Sequence, residues 1–250
     1  MDRNDRSALH IAGVGHAVFG LTVLAMGIQG VVERKFNVLW QPVPKWVPAR
    51  EVLVYVCALV ALLAGIGLIW RRTSGIAAQV LLGWTLLWLL LVRLPNLATT
   101  PGIDSVWAAC KTVVMAAAAW VLYVWFADGA GLRIGQALFG LAMIPFGVAH
   151  FLYLNATAPL VPNWLPWHVA WAYITGATFI AAGIAIIIGI AARLAAALST
   201  IQMGLFTLIV WLPVIAAGHA KPFQWSEFVV SWILTACGWV VADSYRRRPG

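Results

Sequence analysis

Charge is what this chain has least of. Asp, Glu, Lys and Arg make up 10% of its 250 residues, and only 8 residues are acidic. A soluble domain carries about 25% charged residues, so a water-exposed surface cannot be built from this chain. That excludes a soluble enzyme, a disordered chain and a nucleic-acid-binding protein. Alternating polar and apolar strands are also missing, which excludes an outer-membrane barrel. Cysteine is scarce: Cys57, Cys110 and Cys237 lie within apolar stretches, and no CxxC spacing occurs. A dithiol redox motif and a thiolate metal site are therefore not expected. No Ser/His/Asp set, metal-ligand cluster or glycine-rich phosphate loop is present, so no catalytic residue is assigned. The N-terminal MDRNDRSALH is polar, and the apolar run after it lacks a small-residue cleavage site, which speaks against a cleaved signal peptide.

What the chain has in excess is apolar length. Hydrophobic residues reach 63%, and the mean hydropathy is +0.91. A spanning helix uses about 20 apolar residues. Runs bounded by charge, Pro or Gly predict eight spans near 8–31, 51–70, 75–93, 105–127, 134–154, 168–190, 194–213 and 226–243. The fold class expected is all-α, a polytopic membrane helical bundle. The net charge of +8 then reads as topology rather than nucleic-acid affinity. With the N-terminus inside, nine basic residues are cytoplasmic (Arg3, Arg6, Arg71, Arg72, Arg133, Arg193 and Arg246 to Arg248) and seven lie opposite. By the positive-inside rule both termini are expected in the cytoplasm.

The spans fall into two sets of four. At a shift of 120, residues 15–27 (GHAVFGLTVLAMG) overlie 135–147 (GQALFGLAMIPFG) with six identities in thirteen positions. At a shift of 118, Val43-Pro44-x-Trp46-x-Pro48 overlies Val161-Pro162-x-Trp164-x-Pro166, Tyr55 meets Tyr173, and Pro95 meets Pro213. We read residues 1–128 and 129–250 as tandem repeats of four helices. An even number of spans per repeat makes them parallel, related by an axis along the membrane normal.

The second repeat carries Arg133-x-Gly135-x-x-x-Phe139, Gly147-Val148-Ala149-His150-Phe151, Pro162-x-Trp164-Leu165-Pro166 and Tyr173-x-x-Gly176. In these motifs it resembles the DoxX-like family of bacterial membrane proteins, built as four-helix membrane units. The first repeat departs from the pattern, with Gly13 for the opening Arg and Gly30-Val31 where His-Phe would stand. Phe179 occupies a position where relatives carry Glu. The namesake of the family is a small membrane subunit of a thiosulfate:quinone oxidoreductase. The resemblance therefore implies a bacterial inner (cytoplasmic) membrane protein, and a redox partner such as a soluble oxidoreductase subunit or a quinone.

Two groups of residues invite a functional reading. Spans five and six meet at the outer face, where His150, Tyr153, Trp164, Trp167, His168 and Tyr173 are expected near one level. Donors and aromatic walls of this kind suit a quinone headgroup, and the same residues also suit an interfacial aromatic belt. Ionisable residues inside spans mark function by default. Lys111 and Glu227 lie at roughly corresponding depths of spans four and eight, where a pair across the two-fold axis is conceivable, and Lys111 can equally snorkel to the outer surface. Arg93 and Asp104 flank one loop and are expected to pair locally. His16 and Gln136 correspond across the repeat and are expected to touch, with Gly15, Gly20, Gly27, Gly135, Gly140 and Gly147 on their seam. A lone deep imidazole speaks against haem. Three functions follow: a non-catalytic, quinone-interacting membrane subunit of a redox system; a carrier or binder of a small hydrophobic or lipid-like molecule; or a structural assembly protein.

Overall fold

The computed structural model describes residues 13–36, 41, 43–44, 47–70, 72–127 and 129–246, without the side chains of 222 and 223. Arg3, Arg6, His10, Lys45, Trp46, Arg71, Arg247 and Arg248 lie outside the described residues. The described chain is helical and forms no β-sheet. Eight of its helices are long and apolar enough to cross a membrane. They are α1 (Val14–Glu33), α2 (Arg50–Ile69), α3 (Ser74–Thr99), α4 (Ile103–Phe126), α5 (Leu132–Leu152), α6 (His168–Ile188), α7 (Ala192–Ala216) and α8 (Pro222–Asp243). Helices are what such a sequence must form, because lipid offers no partner for an unpaired backbone N–H or C=O. Leu59, Leu63, Leu91, Leu141, Leu194 and Ile201 are exposed on the outer faces, as a lipid-facing surface requires.

Two helix ends differ from the expected boundaries for one physical reason. α3 continues to Thr99 and α7 to Ala216, past Pro95 and Pro213, instead of stopping at 93 and 213. A proline lacks the N–H that would bond four residues back, and its ring crowds that carbonyl. Here the preceding turn widens into a π-helical segment, at Leu89–Arg93 and again at Phe206–Trp211. The helix then resumes with the proline in its first turn. The long apolar run 168–213 breaks where Gly189 and Ala191 both adopt positive φ, 84° and 46°, leaving a tight hairpin between α6 and α7.

α4 and α8 pack against each other at the centre. α5 lies against α4 and α1 against α8, while α2 and α3 flank one side and α6 and α7 the other. The buried core joins Phe19, Met115, Phe139, Met143 and Ile233, together with the small-residue stretch Ala116 to Ala119 of α4. Corresponding features recur in the two sets of four helices. α1 packs on α2 as α5 packs on α6, and the π-helical turn occupies the third helix of each set.

The glycines expected on one seam divide between two. Gly20 and Gly27 face α2, and Gly140 and Gly147 face α6, within each set of four. Gly15 instead meets the α8 backbone at Trp239 and Val240, and Gly135 meets α4 at Ala117 and Val121. The tightest crossing is between α5 and α6. A methyl group at Gly147 would fall 2.4 Å from the Gly176 carbonyl oxygen, and one at Gly183 would fall 2.5 Å from that of Gly140. α8 also closes onto the start of α1, where the Gly15 N–H donates to Asp243 Oδ2 at 2.9 Å. A carboxylate there complements the positive end of the helix dipole.

These crossings predict a contrast between glycines. Gly147→Val should force α5 from α6 and destabilise the protein by about 1–3 kcal/mol, the usual cost of overpacking. Gly83, in α3, has nothing within 4 Å of where a Cβ would stand, so Gly83→Ala should leave stability unchanged or raise it. Thermal unfolding in one detergent checks both.

Candidate functional site

At the end of the bundle away from residues 13 and 246, the helices α4, α5, α6, α7 and α8 line a partly open cavity of about 130 Å³. A space of this size holds a single aromatic ring. Its walls are largely aromatic: Trp107 from α4, Phe146 from α5, Phe179 from α6, and Phe206 and Trp211 from α7. Phe206 and Trp211 are the first and last residues of the π-helical turn, so the irregularity forced by Pro213 sets the spacing of one wall.

The ionisable groups of the cavity come from three helices. Lys111 Nζ lies 3.8 Å from Glu227 Oε1, with both side chains less than a fifth exposed. This is an ion pair but is longer than a direct hydrogen bond, so the ammonium protons remain available to a third oxygen. Lys111 also sits 4.5 Å above the centroid of the Trp107 ring, a cation–π contact that holds it against the wall. On the opposite wall, His150 Nδ1 is 2.7 Å from the Phe146 carbonyl oxygen. A carbonyl only accepts, so Nδ1 carries the proton, and Nε2 of the neutral ring is an acceptor. The imidazole rests against Phe179 and Phe206, at 5.6 and 5.9 Å between centroids. The cavity therefore offers a charged donor on one side and a neutral acceptor on the other, with aromatic faces between. The hydroxyl-bearing Thr157 and Ser231 complete the polar lining.

The residues grouped from the sequence are distributed differently. His150 lines the cavity, and its companions there are Lys111 and Glu227 rather than the outer aromatics. Tyr153 touches the site indirectly. It stacks on Trp107 at 6.3 Å and donates to Asp104 Oδ1 at 2.5 Å. That hydrogen bond to a carboxylate holds the Tyr153 phenol above its ordinary pKa. Tyr173 stacks on Phe151 at 5.6 Å. Trp164 and Trp167 are 71% and 80% exposed, as interfacial anchors would be. His168 opens α6 with Nε2 buried and without a hydrogen-bond partner among the described residues.

At the other end His16 Nε2 donates to the Leu68 carbonyl at 2.8 Å, and Gln136 Nε2 donates to Ser244 Oγ at 2.9 Å. At the cavity end Arg93 Nε donates to Thr112 Oγ1, next to Lys111, at 3.3 Å. The three cysteines are free thiols. Among the described residues no group of three or more His, Cys, Asp or Glu side chains is placed to hold a metal ion. No protein-family model, curated protein or solved structure matches the chain.

Sequence reading missed the aromatic walls. Trp107 lies four residues before Lys111 on one face of α4, a spacing that brings side chains together and marks it as a partner. For Phe206 and Trp211 no such signal exists, since the π-helical turn changes which residues share a face.

The ion pair predicts a non-additive double-mutant cycle. Lys111→Met or Glu227→Leu alone strands a charge in a mostly apolar setting and should lower stability by about 1–3 kcal/mol. The double variant should recover much of this, with a coupling of about 0.5–3 kcal/mol. Thermal or denaturant unfolding of the four proteins in a common detergent measures it.

Proposed function

We propose that this protein is a DoxX-like, multi-pass membrane subunit that holds the headgroup of a quinone-type molecule and performs no chemistry of its own. The observation that supports this reading is the shared cavity, in which Lys111, Glu227 and His150 face one ring-sized, aromatic-walled space. Bound rings pack against aromatic walls, while a few placed polar groups fix their orientation. The ammonium of Lys111 suits a quinone oxygen. His150, with Nδ1 engaged, accepts rather than donates, and so suits the hydroxyl of the reduced, quinol form. The proposal includes a bacterial inner membrane, both termini in the cytoplasm, a tandem pair of four-helix repeats, and a soluble oxidoreductase subunit as partner. Its grounds are the sequence repeat, the basic-residue distribution and the family resemblance.

A second reading has its own observation. Between α1 and α8 a groove of about 300 Å³ is lined by Val18, Leu21, Met26, Phe228 and Trp232. Its one polar bridge is the Trp232 indole N–H donating to Thr22 Oγ1 at 3.0 Å. Such a groove suits an acyl or prenyl chain, and a carrier of a small hydrophobic or lipid-like molecule would use it. A structural assembly protein would use neither space.

Purification in mild detergent followed by solvent extraction and chromatography separates these readings. Quinone should be retained in near-stoichiometric amount, and Lys111→Ala or His150→Ala should lower retention about tenfold, as expected for loss of one hydrogen bond to a charged or buried group. Extracts with no quinone, together with no thermal shift on adding a short-chain quinol, would overturn the proposal. A retained lipid that is indifferent to both substitutions but lost in Trp232→Ala would favour the carrier.

A further inference from the structure

The opposite end of the bundle, which carries both described chain ends, holds a second and chemically different space. An open cleft of about 830 Å³ lies between the start of α5, the α6–α7 hairpin and the segment after α8. Arg133, Arg193 and Tyr245 line it, and among the described residues no carboxylate does. Arg133 is fixed in place, because its Nη2 donates to the Ile187 carbonyl at 2.8 Å and passes closely over Gly189. A methyl group at Gly189 would stand 3.2 Å from that nitrogen, and the φ of 84° there favours glycine. Arg193 is exposed in the first turn of α7. The Tyr245 hydroxyl is buried beside Arg133. Burial raises its pKa against the opposing pull of that arginine, so at neutral pH the phenol keeps its proton. Asp243, the nearby acid, is engaged by Arg246 at 3.1 Å and by the Gly15 N–H.

Among the described residues the cleft therefore gathers two arginines and no balancing carboxylate. Its remaining wall is apolar and continues down the membrane face of α7, where Leu194, Leu198 and Ile201 are each more than half exposed. An anionic head above a lipid-facing apolar strip is the outline of a phospholipid. We infer that this cleft binds the phosphate of an anionic phospholipid, with Arg133 and Arg193 on the headgroup and an acyl chain along Leu194 and Leu198. Guanidinium groups suit a phosphate because their paired N–H donors match two of its oxygens, and basic pockets at helix ends recruit anionic lipids in this way.

The full chain, purified in mild detergent, is presented with mixed micelles of phosphatidylcholine with or without phosphatidylglycerol, and bound lipid is counted by native mass spectrometry. Phosphatidylglycerol should be retained preferentially. Arg193→Gln, which touches an exposed side chain and leaves the Arg133 anchor intact, should weaken retention about fivefold, the factor equivalent to about 1 kcal/mol per arginine. Arg133→Gln combined with Arg193→Gln should abolish the preference. Arg72→Gln, an exposed arginine outside the cleft, should leave it unchanged. Helical circular dichroism identifies any variant that fails to fold. Equal retention of both lipids by the wild-type protein would overturn the assignment. So would displacement of the bound lipid by millimolar inorganic phosphate, which would make the cleft a soluble-anion site instead.

Discussion

Backbone-to-backbone contact between α5 and α6 is the constraint on which the candidate site depends. Gly147 and Gly176 lie so close that neither can carry a side chain without displacing the other helix. One turn beyond Gly147 stands His150, and one turn beyond Gly176 stands Phe179. The crossing thus presses the imidazole against the phenyl ring and closes that wall of the cavity. In a bilayer, apolar association of helices gains little from water, so dispersion between closely approached backbones carries much of the packing. α1 and α2 are joined by a similar approach, in which Gly27 meets Ala58 and Leu62, and Gly65 meets Leu24.

The second organising feature is the pair of prolines in α3 and α7. In each helix a missing backbone donor is absorbed by a widened turn rather than by a break. In α7 that turn carries Phe206 and Trp211 into the cavity, so a local backbone defect becomes part of a binding wall. In α3 it ends at Arg93, whose guanidinium reaches Thr112 of α4. Irregular turns of this kind recur at functional sites because they place side chains where a regular helix cannot. The two polar regions of the molecule are consequently of different kinds. The aromatic-walled cavity combines an ion pair with aromatic rings, and the wider cleft at the other end is lined by two arginines.

Much of this was legible in the residues. Eight spans followed from apolar run length, since only helices satisfy the backbone in lipid. Lys111 and Glu227 were marked by the cost of charge within a span, and their corresponding depths made conceivable the ion pair that the structure shows. The outer grouping was less legible. Interfacial depth alone placed Trp164, Trp167 and Tyr173 beside His150, but depth says nothing about rotation around a helix axis. The structure turns both tryptophans outward and rotates His150 inward, into the cavity and against Phe179 of α6 and Phe206 of α7. His16 and Gln136 correspond in sequence, yet each bonds to a neighbouring element, Leu68 and Ser244.

The sequence by itself determined the membrane environment, the number of helices and the residues too polar to lie in lipid unpaired. These follow from composition, length and solvation, which are properties of single segments. Only the tertiary structure decided which of those residues meet. That depends on helix rotation, on the distance set by glycines at the crossings and on the π-helical turns before Pro95 and Pro213. Each of these is a relation between segments, which no one-dimensional pattern encodes.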